Sequence, residues 1–248
     1  MHLHFVFHEK IDICLTPDLI HQHDLAGCVV VVIDILRATS SITTAIAHGV
    51  EAIKPVESLV ECRQLMMDGH IGAAERGGKK VGGFEVGNSP FSYMNPEFED
   101  KKIAMTTTNG TVTLKKSKGA LQVLVGSFLN YSALLSYLER LPCDVLLHCA
   151  GWKGKVNMED TLFAGAIIYG LKQMFEYNSD APMMAANLYK QAKNNLKAAI
   201  EDSSHVSRLI KLGLEKDVDF CLKFDEYKVI PILKGEYITK LKLSDMLF

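Results

Sequence analysis

The segment VVVVIDILRATSSITTAIAHG, residues Val29 to Gly49, decides the fold class. Four valines and Ile33 form an unbroken β-branched run, the composition of a strand buried on both faces of a parallel sheet. The run ends in Asp34, a charge that needs a partner where a buried strand stops. Arg37, Thr39, Ser40 and Ser41 follow, and Ile42, Ala45 and Ile46 recur at helical spacing until Gly49 ends the helix. Open α/β sheets bind ligands at the carboxyl ends of their strands, and the helix N-terminus that opens there favours an anion. A capped helix with a salt-bridged Asp34 accounts for the same letters, so the rest of the chain has to decide.

Working outward, strand and helix patterns alternate, which predicts an α/β fold: a mostly parallel sheet with helices on both faces. EAIKPV and IGAAER read as strands flanking the helical ESLVECRQLMMDG. GGKKVGGFEVGNSPFSYMNP (77–96) is too rich in turn residues for regular structure, and a loop of that length is expected to cover the crevice. KKIAMTTTNG is a strand breaking into a turn at Asn109-Gly110, and ALQVLVGSF and CDVLLHCAGWKG are two more. Helices are predicted over Asn130–Leu141, Glu159–Phe175, Pro182–Ile200 and Ser204–Leu214. KVIPILKGEYITKL closes the pattern as a hairpin around Lys234-Gly235. Residues 1–248 are expected to form one domain with a helical C-terminal elaboration, and the apolar Glu159 helix leaves room for a homodimer. Before Leu25 only a strand is expected.

Bulk properties narrow the class. The 248 residues are 48% hydrophobic and 23% charged, ordinary for a globular chain. A net charge of −2 without basic blocks argues against nucleic acid as partner. No apolar stretch approaches the roughly 18 residues of a membrane span, and the N-terminus lacks the pattern of a signal peptide. The six cysteines have no paired CxxC spacing, which speaks against structural zinc and against a secreted disulfide framework. A cytoplasmic enzyme is the expectation.

Four predicted strand ends carry polar turns: Asp34 with Arg37, Thr106-Thr107-Thr108-Asn109-Gly110, Gly126-Ser127, and Gly151-Trp152-Lys153-Gly154. In a parallel sheet they converge on one edge, where glycine-turn N–H groups, hydroxyls and cations suit a phosphate or sulfonate. Asp34, Glu75, Glu159 and Asp160 are the carboxylates able to hold Mg²⁺, a cation that prefers oxygen. Each element has a plainer reading, since Asn109-Gly110 is also a tight turn and Asn157-x-x-Asp160 also a helix cap.

Three chemistries fail on the letters. An aspartyl-phosphate enzyme of the haloacid dehalogenase type needs Asp where this chain has Leu36. A tyrosine-phosphatase loop needs Arg where Cys149 is followed by Lys155, and a Rossmann site needs glycines that DILRAT lacks.

VVIDILRATSSITTA, AAERGG, FEVGNSP, TTTNGT, VGSFLN, CAGWKG with EDTLFAG, and SSHVSRL with DVDFCL occur in this order between about Leu25 and Leu233. Together they resemble the 2-phosphosulfolactate phosphatase family of coenzyme M biosynthesis. Ser40 and Ser41, where the family is expected to show threonine, keep a hydroxyl. The resemblance implies a Mg²⁺-dependent acid phosphatase acting on a small anionic substrate, 2-phospho-3-sulfolactate. Its phosphate, carboxylate and sulfonate explain why several anion grips accompany the acids. Asp34, Arg37 and His205 become candidate catalytic residues, with His205 as acid for the leaving alkoxide. Thr39, Arg76, Asn88, Ser89, Thr107, Thr108, Asn109, Gly110, Ser127 and Lys153 become candidate substrate contacts. Two other readings are a phosphatase of a different phosphorylated hydroxy acid and a non-catalytic anion-binding protein. A surface position at a helix start is the plainer reading of His205.

Overall fold

The computed structural model describes residues 9–177 and 179–248. The first half of the chain contains β1 (Lys10–Cys14), β2 (Val29–Ile33), α1 (Ala38–Ala47), β3 (Ala52–Pro55), α2 (Leu59–Met67), β4 (Ile71–Arg76), β5 (Lys79–Lys80), β6 (Lys102–Thr106) and α3 (Gly110–Lys116). Next come β7 (Gln122–Gly126), α4 (Tyr131–Leu138), β8 (Val145–Cys149), α5 (Met158–Leu171) and β9 (Glu176–Tyr177). The helices α6 (Asp180–Ala192), α7 (Leu196–Ile200), α8 (Ser204–Lys211) and α9 (Glu215–Cys221) precede β10 (Pro231–Lys234) and β11 (Tyr237–Lys240). The strand expected near the N-terminus is β1, and residues 1–8 lie outside the described residues.

β2 behaves as its composition demands. Val29, Val31 and Ile33 enter one core with Leu134 of α4 and Leu162, Phe163 and Ile167 of α5. Val30 and Val32 enter the other with Ile42, Ala45 and Ile46 of α1. All five are fully buried, each worth about 1.5–3 kcal/mol of transfer free energy. Helices therefore cover both faces. α5 is apolar nearly all round because α6 closes its outer side. A Cβ on Gly165 would meet the Ala185 carbonyl oxygen at 2.1 Å, so only glycine permits that approach. The apolar face of α5 is thus covered by α6.

The strands lie in the order β5-β4-β6-β3-β11-β10-β7-β2-β8-β1-β9. This α/β fold is mostly parallel, and besides the short antiparallel β4–β5 pair it departs from the simple picture at its centre. The C-terminal hairpin sits in the middle of the sheet, antiparallel to β3 through Ile238–Ile53 and to β7 through Ile232–Leu124. With β10 antiparallel to β11, three antiparallel steps reverse direction between a β4-β6-β3 block and a β7-β2-β8-β1 block. In a flat sheet the carboxyl ends of the two blocks would face opposite edges. They meet instead at one cavity, lined by Asp34 from one block and by Glu75 and Thr107 from the other.

Two local expectations change. Residues 110–116 are helical rather than a turn. The long helix over Pro182–Ile200 breaks at Asn195, whose side chain accepts from the Ala198 N–H and caps α7.

Candidate active site

The carboxyl ends of the two blocks enclose a cavity of about 350 Å³. Asp34, after β2, and Glu75, at the end of β4, both line it. Gly110, after β6, packs so closely on Asp34 that a Cβ there would lie 2.8 Å from Oδ2 and 2.5 Å from Ala38 Cβ. That glycine joins the blocks at the site, from behind rather than as a contact for ligand.

Asp34 is 6% exposed, and among the described residues its carboxyl accepts only a long hydrogen bond, 3.4 Å from the Ala38 N–H. Burial pushes its carboxyl up to about 6; nearby His205 and the Ala38 N–H pull it down, and Glu75 and Glu159 push it up. Thr39 serves the turn rather than the cavity, its Oγ1 accepting from the Asp34 N–H at 3.1 Å. Glu75 accepts from the Gly78 N–H and, at 3.2 Å, from the Thr108 hydroxyl.

His205, the first-turn histidine of α8, is buried rather than a surface residue. Its Nδ1 lies 2.5 Å from Glu159 Oε1, and its ring stacks on Trp152 at 5.1 Å between centroids. A carboxylate on Nδ1 fixes the ring and leaves Nε2 as the proton site. Trp152, Lys153 and Arg208 line the same wall, with Lys153 Nζ 4.9 Å from the Trp152 ring centroid.

The four predicted metal ligands do not gather as one set. Asp160 Oδ1 accepts from the Ile35 N–H at 2.8 Å, and Oδ2 from the Gly151 N–H at 3.0 Å and the Asn157 amide at 2.9 Å. It braces the turn after β2 against the turn after β8. Burial, then Asp34 and Glu159, drive its carboxyl well above the ordinary range. Glu159 is engaged with His205, and its Oε2 has no partner. Among the described residues no three His, Cys, Asp or Glu side chains form a ready metal cage. The remaining pair, Asp34 and Glu75, still suits Mg²⁺, which is commonly held by one or two carboxylates, waters and a substrate phosphate.

Of the predicted substrate contacts, Arg76, Asn88, Thr107, Thr108, Asn109 and Lys153 line the cavity. Asn88 is buried with its Oδ1 unpartnered, so the glycine-rich loop does reach the site. Ser89 turns away and donates to Asp217 Oδ1 at 3.0 Å. Ser127 does not reach the cavity; it is fully buried, hydrogen-bonded to Thr43 and to Asn130, whose turn it caps. Arg37 lines the site, but its guanidinium is paired with Asp217 and donates to the Gly78 carbonyl at 2.8 Å. Arg76 donates to the Thr106 hydroxyl at 2.9 Å. Cys149 is a buried small residue whose thiol is raised by burial, not a nucleophile.

Arg208 and Asp217 had no assigned role in the sequence. Arg208 donates to the Gly77 carbonyl at 2.5 Å, and Asp217 fixes both Arg37 and Ser89, so the C-terminal helices strap the loop at both ends. The motifs SSHVSRL and DVDFCL were the available signal.

The family model for 2-phosphosulpholactate phosphatase matches residues 14–236. The chain belongs to the 2-phosphosulfolactate phosphatase family. It is 40% identical over 225 residues to a protein of Caldanaerobacter subterraneus subsp. tengcongensis, covering 89% of this chain and 93% of that one. It is 39% identical over 211 residues to one of Thermotoga petrophila, covering 85% and 91%. A protein of Clostridium beijerinckii is 34% identical over 239 residues, covering 93% and 99%. All three carry the name "Probable 2-phosphosulfolactate phosphatase". Membership makes this chain a phosphatase, and no helix among the described residues is long and apolar enough to cross a membrane.

Proposed function

We propose that this 2-phosphosulfolactate phosphatase family member hydrolyses the phosphate monoester of 2-phospho-3-sulfolactate in a Mg²⁺-dependent reaction. The observation that carries the reading is one cavity in which Asp34 and Glu75 face Lys153, Arg208 and a histidine braced by a buried glutamate. Mg²⁺, held by Asp34 and Glu75, supplies neutralisation of phosphoryl charge when bound.

Monoester hydrolysis runs through a loose transition state, so positioning and charge stabilisation do most of the catalytic work. Arg37, fixed by Asp217, and the turn at Thr107-Thr108-Asn109 orient the phosphoryl end. Lys153 and Arg208, beside Trp152 and His205, suit the carboxylate and sulfonate. His205 holds a proton at Nε2 for the leaving alkoxide, and Glu159 stabilises the charged ring that carries it.

Phosphate release from a panel of phosphorylated hydroxy acids, with and without Mg²⁺, tests this directly. The sulfonated substrate is expected to be cleaved fastest and only with the metal. Faster cleavage of another hydroxy-acid phosphate would change the substrate, and no release from any would leave a binding protein.

A further inference from the structure

Behind His205 lies a second hollow of about 380 Å³, as large as the first and unused by the reaction described above. Trp152, Lys153 and His205 form the wall the two hollows share. Glu159 lines the second one, fully buried, with Oε1 on His205 and Oε2 without a partner. A buried carboxylate oxygen is costly unless something donates to it. Oε2 therefore asks for a donor that none of the described residues supplies.

The rest of the lining asks for an anion. Lys155 stands exposed at the rim beside Lys153. The first turns of α5, capped by Asn157, and of α8, capped by Ser203, both line it, and a helix N-terminus favours an anion. One ligand chemistry meets both demands: an oxyanion that keeps a proton. Its charged oxygens face the lysines and helix ends, and its O–H donates to Glu159. Hydrogen phosphate is such an ion at neutral pH, whereas sulfate carries no proton to give.

We propose that the second hollow is a site for inorganic hydrogen phosphate, holding it beside the catalytic cavity and selecting it against sulfate through Glu159. The site goes beyond the reaction, and its occupancy is read by binding rather than by turnover.

Equilibrium dialysis of the whole protein with radiolabelled phosphate should give two phosphates per chain. Lys155→Ala should weaken one of them by at least about tenfold, the scale of a lost charge-assisted hydrogen bond. Its turnover at low phosphate should stay within about twofold of the parent. Excess sulfate should displace one phosphate from the parent protein and both from Glu159→Gln. One phosphate per chain in the parent, or two equally tight in Lys155→Ala, overturns the site. Sulfate displacing both from the parent overturns the selection. A protein that binds two phosphates yet cleaves no phosphoester would sink the proposed reaction and leave this site standing.

Discussion

Asp34 and Glu75 face one cavity from opposite blocks of the sheet, and they are held in opposite ways. Both are buried, at 6% and 7% exposure. Glu75 is satisfied by its own surroundings, with the Gly78 N–H on one oxygen and the Thr108 hydroxyl on the other. Asp34 has one long hydrogen bond and three acidic neighbours, Glu75, Glu159 and Asp160, and its carboxyl rises to about 6. The β4–β6 block thus contributes groups already at rest, grips that need only be in place. The β2–β8 block contributes a charge and a Glu159–His205 pair kept short of partners. Chemistry is expected where the polar groups are least satisfied.

The largest test of that contrast is Asp34→Asn. Activity should fall at least about a hundredfold, the scale of losing one preorganised charge-stabilising group, while the protein becomes more stable. The folded carboxyl titrates above its unfolded value of 3.8, so the native state binds the extra proton between 3.8 and about 6. Stability falls as pH rises through that window, and at neutral pH the charged form costs about 3 kcal/mol that Asn would recover. A thermal melt at pH 7 showing Asp34→Asn less stable than its parent would break the comparison, as would unchanged turnover.

Lys153 shares a block with Asp34 but is exposed, so it separates burial from location. Lys153→Ala should raise KM for the sulfonated substrate roughly tenfold to a hundredfold, and barely affect a phosphoester without sulfonate or carboxylate. Equal losses of kcat on both substrates would move Lys153 into the reacting centre.

A smaller effect belongs to the metal. Isothermal titration with Mg²⁺ should show affinity falling about tenfold per pH unit below about 6, because Asp34 must lose its proton to bind. The same slope in Asp34→Asn would place the titrating group elsewhere. The smallest effect is expected at Ser127. Ser127→Ala should leave steady-state kinetics within about twofold and lower stability by about 1 kcal/mol, since it caps a buried turn rather than touching ligand.

The difference between the blocks also explains what the sequence disclosed. β2 was legible because a run buried on both faces has no polar residue until it stops, and Asp34, Glu75 and Thr107-Thr108 were legible as such stops. α3 was not, because GTVTLKK is β-branched and glycine-led, and tertiary packing overrides its weak propensity. Arg208 and Asp217 sit on short amphipathic helices where a charge normally meets water. Only the approach of those helices to Gly77 and Ser89 gives them a role. Asp160 misled because a carboxylate in the first turn of a helix looks the same in sequence whether it meets a ligand or three N–H donors. The reversal between the blocks depends on pairing of β10 and β11 with strands more than 100 residues away, which local periodicity does not encode.

That central hairpin sets an order of biosynthesis. The ribosome delivers residues 231–240 after every other strand of the sheet, yet they form the seam between its halves. Until they emerge, β3 and β7 each present an unpaired edge, the kind of surface that recruits foreign strands. A nascent or truncated chain lacking these residues would hold two half-sheets without their seam, so protection of the two edges and acquisition of the shared cavity arrive together, when the hairpin pairs.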